Sequence, residues 1–274
     1  MTDDDLATRF LALHSGAAPL LIPNPWDAGS AKVLVSLGFQ ALATTSSGFA
    51  ATLGRSDGSV TRDEALAHAA TVSAAVDVPV SADLENCFAH DPEGVAQTVT
   101  LAAGTGLAGC SIEDYSAELS DPIYDLPLAA ERVAAAAEAA HSGPRRLVLT
   151  ARSENYLRGR PDLADTITRL QAFQEAGADV LYAPAITAAE EIRAVVESVD
   201  RPVNVLLLPG GPDVAGLAAL GVRRISVGGA FAYAALAGLV DAANELLGPG
   251  TLGYWARAEV GGAAARAAFA KPGS

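Results

Sequence analysis

The sequence repeats one local pattern about eight times: a short apolar run, turn-forming residues, a helical stretch and a glycine that ends the helix. The first copy runs from Leu20-Leu21-Ile22 through Pro23-Asn24-Pro25 and a helical stretch after Asp27 to Gly38. The apolar runs do not alternate with polar residues, as is typical of strands that are covered on both faces. Alternating strands and helices indicate a parallel sheet, and about eight copies in roughly 250 residues are typical of a closed (β/α)8 TIM barrel.

We therefore predict a single (β/α)8 barrel domain over residues 1-274, with no linker that divides it. The remaining predicted strands lie in the runs Gln40–Thr45, Val78–Asp83, Gly109–Ile112, Leu147–Thr150, Asp179–Tyr182, Pro202–Leu206 and Arg224–Val227. A helix over residues 3 to 16 precedes the first strand. Residues 246-274 exceed what a minimal barrel needs. We interpret them as a C-terminal helical arm, helical from Tyr254 to Phe269, that reaches onto a neighbouring subunit.

Composition excludes two classes of partner. The chain has a formal net charge of −14 and no run of basic residues, so it offers no basic surface for nucleic acid or an anionic membrane. No stretch approaches the ~20 uninterrupted apolar residues of a membrane-spanning helix, and the chain starts with acidic rather than basic residues. We expect a cytoplasmic enzyme or binding protein without nucleic-acid or membrane partners. Cys87 and Cys110 lack metal-ligand spacing and are expected to be buried thiols.

Two carboxylates lie at the end of the third predicted strand, in the segment Ala82-Asp83-Leu84-Glu85. In a strand, residues two apart face the same side, so Asp83 and Glu85 are predicted to point together beyond the strand end. Paired carboxylates repel each other and raise each other's pKa unless a cation lies between them. The pair therefore indicates a hard metal ion or a shared proton, and a solvated strand-to-loop junction is the alternative without a function.

Polar residues collect at the carboxyl ends of the predicted strands, which form the active face of a TIM barrel. On the first five strands they are Asn24, Trp26 and Asp27; Thr45, Ser46, Ser47 and Gly48; Asp83 and Glu85; Glu113 and Asp114; Arg152, Glu154 and Asn155. Acids that converge with an arginine indicate a divalent cation with an anionic ligand. Mg²⁺ suits this set, with Asp83 as its direct ligand. The acids around its waters would be Glu85, Glu113 and Asp57. The four histidines show no zinc-ligand spacing.

Small residues in the segment Ser46-Ser47-Gly48-Phe49 would let backbone N–H groups approach an anion closely. An ordinary tight turn explains the same residues. Glycines in Pro209-Gly210-Gly211 and Gly228-Gly229 follow strands seven and eight, where barrels often hold phosphate.

Six stretches, taken together and in this order, resemble the isocitrate lyase / phosphoenolpyruvate mutase superfamily. They are Pro23–Ala31, Thr45–Gly48, Gly54–Gly58, Ala82–Glu85, Ser111–Asp114 and Thr150–Arg152. The resemblance implies a (β/α)8 barrel with an exchanged C-terminal helix and a homodimer or homotetramer. It also implies Mg²⁺-dependent chemistry on small 2-oxo or enol carboxylates.

The resemblance assigns roles by position. Asp83 would bind the metal, and Glu85, Glu113 and Asp57 would hold its waters. Ser47, Gly48 and Phe49 would receive the carboxylate of the ligand, and Arg152 would stabilise charge on it. Arg152, Ser47 and Glu113 are thus the catalytic candidates. The polar candidates for the distal end of the substrate are Tyr115, Glu154, Asn155, Tyr182 and Asn204.

The long connection Tyr115–Asp125 does not look helical and is predicted to form a lid. The lyases of the superfamily carry a catalytic cysteine on this lid, and the mutases and phosphonate hydrolases carry a lysine, whereas this lid has neither. Where the mutase has a histidine after strand six, this chain reads Leu181-Tyr182-Ala183-Pro184.

These departures favour a Mg²⁺-dependent, lyase-like enzyme that cleaves a carbon–carbon bond in a small 2-oxo (di)carboxylate, of the oxaloacetate decarboxylase or hydrolase type. A non-catalytic protein that binds a 2-oxo acid is one alternative. Phosphonopyruvate hydrolase or phosphoenolpyruvate mutase activity is another.

Overall fold

Eight parallel strands form a barrel in a computed structural model that describes residues 3–143 and 145–270. The strands are β1 Leu20–Ile22, β2 Leu42–Ala43, β3 Val80–Asp83, β4 Gly109–Glu113, β5 Val148–Arg152, β6 Val180–Tyr182, β7 Val203–Leu206 and β8 Arg224–Ser226. They pair in the order β1-β8-β7-β6-β5-β4-β3-β2, and the Ala43 N–H donates to the Pro23 carbonyl at 3.1 Å across the remaining gap. The predicted (β/α)8 TIM barrel is confirmed. Each strand overlaps its predicted run, but β4 and β5 extend past the predicted ends Ile112 and Thr150, to Glu113 and Arg152.

Helices connect the strands on the outside of the barrel. They are α1 Asp3–Leu13, α2 Ala28–Ser36, α3 Ser46–Thr52, α4 Arg62–Ala74, α5 Pro92–Ala103, α6 Leu126–Ser142, α7 Leu163–Glu175, α8 Ala189–Glu197, α9 Val214–Ala219, α10 Ala230–Leu247 and α11 Trp255–Phe269. Side-chain oxygens cap many of the N-termini; Thr61 and Glu64, for example, form a reciprocal capping box at α4. Such caps satisfy backbone N–H groups that have no partner within the helix, so each capped βα connection ends at a defined residue.

The apolar core lies mainly between the strands and the surrounding helices, where side chains such as Leu149, Leu181 and Phe173 are fully buried. A second, smaller cluster closes the amino-terminal end of the barrel. Phe10, on α1, is fully buried there and packs with residues of several strands, including Val148 and Val180. The helix α1 therefore acts as a plug, and the space above it opens toward the carboxyl ends of the strands.

The last two helices are only thinly covered by the rest of the chain. In α10 only Ala232 is buried, whereas Leu236, Leu239 and Val240 are exposed. α11 returns to pack along α2. The poorly covered segment thus begins at Ala230, earlier than the arm predicted for residues 246-274, and the predicted Tyr254–Phe269 helix corresponds to α11.

α10 is also, within the described residues, the one helix long and apolar enough by length and composition to cross a membrane. It carries Asp241 and Glu245, and only 6% of its 18 residues are buried. Charged side chains are costly in the centre of a bilayer, so Asp241 and Glu245 disfavour a membrane span.

We predict that His14 makes stability fall as the solution becomes acidic. His14 follows α1, its Nδ1 donates to the Phe10 carbonyl at 2.8 Å, and its Nε2 is buried without a partner. Burial, and secondarily the positive charge of Arg224, lowers the pKa of His14 to about 4 from an ordinary value near 6.5. Because the unfolded chain binds the proton at the higher pH, the folded state loses stability as the pH falls from about 6.5 toward 4.

Urea unfolding at pH 7.5 and pH 5 measures this loss, which should amount to about 2 kcal/mol of unfolding free energy from His14 alone. The His14→Gln variant cannot titrate and should show a pH dependence smaller by that amount. Equal pH dependence in the two proteins would rule out the buried neutral imidazole.

Candidate active site

A cavity of about 200 Å³ opens at the carboxyl ends of the strands. Its lining comes mainly from strands β2 to β8 and from residues that directly follow strands, and it includes Asp83, Arg152, Tyr182 and Asn204. Most of these side chains were predicted to meet because parallel strands in a barrel all present their carboxyl ends at one face. A second depression beside the cavity brings Glu85 and Glu113 next to the lid.

Asp83 is held firmly at the mouth of the cavity. Its Oδ1 accepts a bond from Arg152 Nη1 at 3.0 Å, and its Oδ2 accepts one from the Ser46 N–H at 3.2 Å. The Asp83 N–H in turn donates to Thr44 Oγ1 at 2.9 Å. Strand β3 thus orients the carboxylate before any ligand binds.

Glu85 is close to Asp83, but not for the reason that the sequence suggested. β3 ends at Asp83, and Glu85 has a φ of 50°, in the left-handed region, so the expected continuation of the strand through Glu85 is wrong. The carboxylates nevertheless interact. Burial, reinforced by the negative charges of Asp83 and Asp57, raises the pKa of Glu85 to about 7.

The carboxylates carry more negative charge than the neighbouring arginines neutralise. Asp57, Asp83, Glu85, Glu113 and Glu154 face one another around Arg152 and Arg158. A divalent cation would relieve the repulsion that raises the pKa of Glu85, and carboxylate oxygens are the ligands that Mg²⁺ prefers. No group of three acidic, histidine or cysteine side chains among the described residues is already gathered for direct binding. The residues fit a Mg²⁺ ion that takes few carboxylates directly and keeps several waters.

Arg152 is the cation at the centre of this group. Its guanidinium contacts Asp83 at 3.0 Å, Glu113 at 3.2 Å and Glu154 at 2.8 Å. Burial alone would lower the pKa of Arg152, but the three carboxylates outweigh it and raise the pKa well above its ordinary value. Burial also raises the pKa of Glu113 well above its usual range, and the charge of Glu154 adds to the effect. Arg152 therefore remains charged beside the cavity.

The segment Ser46–Phe49 is the first turn of α3, so the alternative of an ordinary tight turn is wrong. Ser46 and Ser47 line the cavity, but Gly48 and Phe49 do not. The Gly48 N–H donates to Thr45 Oγ1, the Phe49 N–H donates to the Thr45 carbonyl, and the Phe49 ring stacks on His68. A side chain at Gly48 would collide with the Thr45 methyl group, so this glycine serves close packing of α3.

The candidates for the distal end of a ligand divide into two sets. Tyr182 and Asn204 line the cavity. Asn155 does not, because its Nδ2 donates to Asp165 and Thr166 on α7. Glu154 is fully buried against Arg152. Tyr115, in the lid, lies under the Arg158 guanidinium, with 3.5 Å between the guanidinium carbon and the ring centroid.

The barrel register explains why distant parts of the sequence meet. Each member of the series Glu113, Arg152, Tyr182, Asn204 and Arg224 is the register partner of the next on the neighbouring strand. Partners in register point to the same side of a sheet, and in this row that side is the barrel interior. Sequence reasoning missed Arg224, and also Arg158, whose four-residue spacing from Glu154 was the available signal.

The lid, Tyr115–Asp125, is irregular as predicted and is fixed at its base by a bridge between Tyr115 and Ile123. Glu118 contacts His90 at 3.1 Å, and Asp121 pairs with Arg160. No thiol compensates for the missing lid cysteine. Cys87 and Cys110 are buried in the apolar core, where burial raises the pKa of Cys87 to about 12 and keeps it protonated.

Comparison with known proteins agrees with this arrangement. The sequence profile of the family described as phosphoenolpyruvate phosphomutase matches residues 10–247. A crystal structure of a candidate lyase/mutase from Burkholderia cenocepacia J2315 is 49% identical, with a TM-score of 0.94 over 98% of each chain. An uncharacterised protein of Mycobacterium tuberculosis is 35% identical over 80% of this chain and 81% of its own.

A 2-methylisocitrate lyase of Halalkalibacterium halodurans is 31% identical over 73% of this chain and 66% of the relative. The resemblance drawn from the six sequence stretches is confirmed. With its barrel, its strand-end carboxylates and these relatives, the chain belongs to the phosphoenolpyruvate mutase / isocitrate lyase superfamily, whose members are lyases and mutases that act on small carboxylates.

Proposed function

We propose that this protein is a Mg²⁺-dependent lyase that binds a small 2-oxo (di)carboxylate and cleaves a carbon–carbon bond next to its enolisable centre. The observation that carries the proposal is the fixed position of Asp83 between Arg152 and the Ser46 N–H, within a cluster of acids whose charge is not balanced. Such a cluster suits a divalent cation together with an anionic ligand.

Asp83 would hold the Mg²⁺ ion, and Glu85, Glu113 and Asp57 would hold its waters. When bound, Mg²⁺ would supply a Lewis acid for the oxygens of a 2-oxo acid. Arg152 would stabilise the negative charge that collects on the same oxygens when the bond to C3 breaks, because its charge is fixed in position before the reaction. Ser47 lines the cavity at the N-terminus of α3 and would orient the carboxylate through its hydroxyl.

The absence of cysteine and lysine from the lid narrows the range of possible reactions. A lid without cysteine or lysine provides no thiol or ammonium group to protonate a departing enolate, which favours loss of carbon dioxide, a departing group that needs no proton, over isocitrate-type cleavage. The same lid makes a non-catalytic 2-oxo acid binding protein the second candidate. Phosphonopyruvate hydrolase or mutase activity would be recognised by release or transfer of phosphate.

We predict that Asp83→Asn abolishes tight Mg²⁺ binding. Calorimetric titration of Mg²⁺ into the protein should show affinity reduced at least about 100-fold, because an amide oxygen replaces the one direct carboxylate ligand. Asp77→Asn is the matched control. It makes the same change in charge at an exposed residue just before β3, at the opposite end of the barrel, and should bind like the wild type. Equal affinity of the two variants would contradict the assignment of Asp83.

We predict Mg²⁺-dependent turnover of at least one acid in a panel of oxaloacetate, substituted malates and phosphonopyruvate. The Arg152→Gln variant should lower kcat about 100-fold, since it removes the fixed charge beside the developing enolate. Arg193→Gln, on the exposed face of α8, is the control and should leave kcat unchanged. Tight binding of a 2-oxo acid to the wild type without turnover of any panel member would instead establish the non-catalytic alternative.

We further propose that the protein is a soluble cytoplasmic homodimer or homotetramer in which α10 packs against another copy. Its exposed residues Leu236, Leu239 and Val240 form an apolar face on a chain whose net charge is −14. Burying such a face provides a favourable free energy of association.

We predict that Leu239→Glu weakens this association. Sedimentation velocity should show a dimer or tetramer for the wild type and a shift toward the monomer for the variant at equal concentration. Leu101→Glu introduces the same charge on the exposed face of α5 and should sediment like the wild type. A monomeric wild type would refute the proposed assembly.

A further inference from the structure

The interior of the barrel beneath the carboxylate cluster is polar. TIM barrels are usually filled there by layers of bulky branched side chains. Here the buried cavity lining includes small polar residues on five different strands, Ser81, Ser111, Thr150, Asn204 and Ser226. Small side chains leave space, and polar ones favour a polar occupant of that space.

A buried arginine forms the floor of this space. Arg224 lies on β8, is 4% exposed, and reaches across the barrel to donate from Nη1 to Thr150 Oγ1 on β5 at 2.9 Å. The ring of Phe10 lies below its guanidinium, with 5.7 Å between the guanidinium carbon and the ring centroid. The cavity above is the same one that Asp83 and Arg152 line at its mouth. Arg224 therefore separates the apolar plug from the site.

Arg224 has no carboxylate to balance its charge. Among the described residues no acidic side chain lies within 4.0 Å of it, and its Nε is buried without a hydrogen-bond partner. Burial accordingly lowers the pKa of Arg224 to about 10, although the residue stays charged near neutral pH. An unpaired buried charge is costly, and a buried arginine is normally paired with a carboxylate or phosphate.

Asn204, the register partner of Arg224, has an unused hydrogen-bond acceptor on the same side of the sheet. Its Nδ2 donates to Ser226 Oγ at 3.0 Å, and its buried Oδ1 has no partner. Rotation of the amide would let Oδ1 accept from the Ser226 hydroxyl and would turn the Nδ2 donor to the cavity. Arg224 and Asn204 could then bind one anionic group together.

We propose that Arg224, with Asn204, is a carboxylate-binding subsite at the floor of the cavity, and that the ligand of this protein is a dicarboxylate. The inference rests on the proposed function, because one end of the ligand is taken to lie at the carboxylate cluster. Thr150 and Arg152 are two residues apart on β5, so a group bound at the level of Thr150 lies about 7 Å below Arg152. A short carbon chain spans that separation, and its second carboxylate supplies the charge that Arg224 lacks.

Binding to the metal-free protein tests the subsite without reference to turnover. Calorimetry in EDTA compares malonate, succinate and 2-oxoglutarate with the monocarboxylates of equal chain length, propanoate, butanoate and 2-oxopentanoate. The wild type should prefer at least one dicarboxylate over its partner by about 10-fold or more, as expected for charge-assisted hydrogen bonds to a buried guanidinium. Arg224→Gln should remove this preference.

Two further variants keep the test decisive. Arg223→Gln removes the neighbouring arginine, which is exposed and donates to the Gly16 carbonyl, and should keep the wild-type preference. Asn204→Asp retains Arg224 but places a carboxylate beside it. This variant should also lose the preference, and it carries the test if Arg224→Gln does not fold by circular dichroism.

Three results would overturn the proposal: no dicarboxylate preference in the wild type, a preference that survives both Arg224→Gln and Asn204→Asp, or sulfate binding as tightly as every dicarboxylate. Failure of the proposed function has a different signature. If the protein turns over no acid in the panel but shows an Arg224-dependent dicarboxylate preference, the proposed reaction is contradicted and the proposed subsite is supported.

Discussion

The arrangement of the site depends on one buried cation, Arg152, which contacts Asp83, Glu113 and Glu154 at once. These acids lie at the ends of three different strands, and without the arginine their charges would repel one another in a poorly solvated space. Removing one partner of such a group usually costs more than the pair contributes, because the remaining charges stay buried. The same guanidinium therefore fixes the ends of β3, β4 and β5 relative to one another and leaves Asp83 oriented toward the cavity.

The fold and the mouth of the site could be predicted from the sequence because both follow from local patterns. Apolar runs that alternate with capped helices specify the barrel, and the barrel places the residues after each run at one face. This reasoning brought Asp83, Glu113 and Arg152 together. It failed where geometry is set by tertiary contacts. Glu85 meets Asp83 through a left-handed backbone conformation rather than strand pleating, and the close packing of Gly48 against Thr45 was not apparent from the sequence.

Arg224 could not have been found by inspecting strand ends, because it lies near the amino-terminal end of β8. It joins the site only through the stagger of the barrel, by which register partners on successive strands descend from the mouth to the interior. That stagger is a global property of eight strands and leaves no local mark on the sequence. The polar interior also shifts the apolar packing outward, to the layer between strands and helices and to the Phe10 plug.

The contact between α10 and α3 links the exposed surface of the protein to its cavity. Ala232 is the one buried residue of α10, and it lies against Gly48 in the helix whose first turn presents Ser46 and Ser47. Where covering α10 restrains that turn, binding at α10 and ligand binding in the cavity share a free energy of coupling. By thermodynamic reciprocity, a ligand in the cavity then changes affinity at α10 by the same factor that occupancy of α10 changes affinity in the cavity.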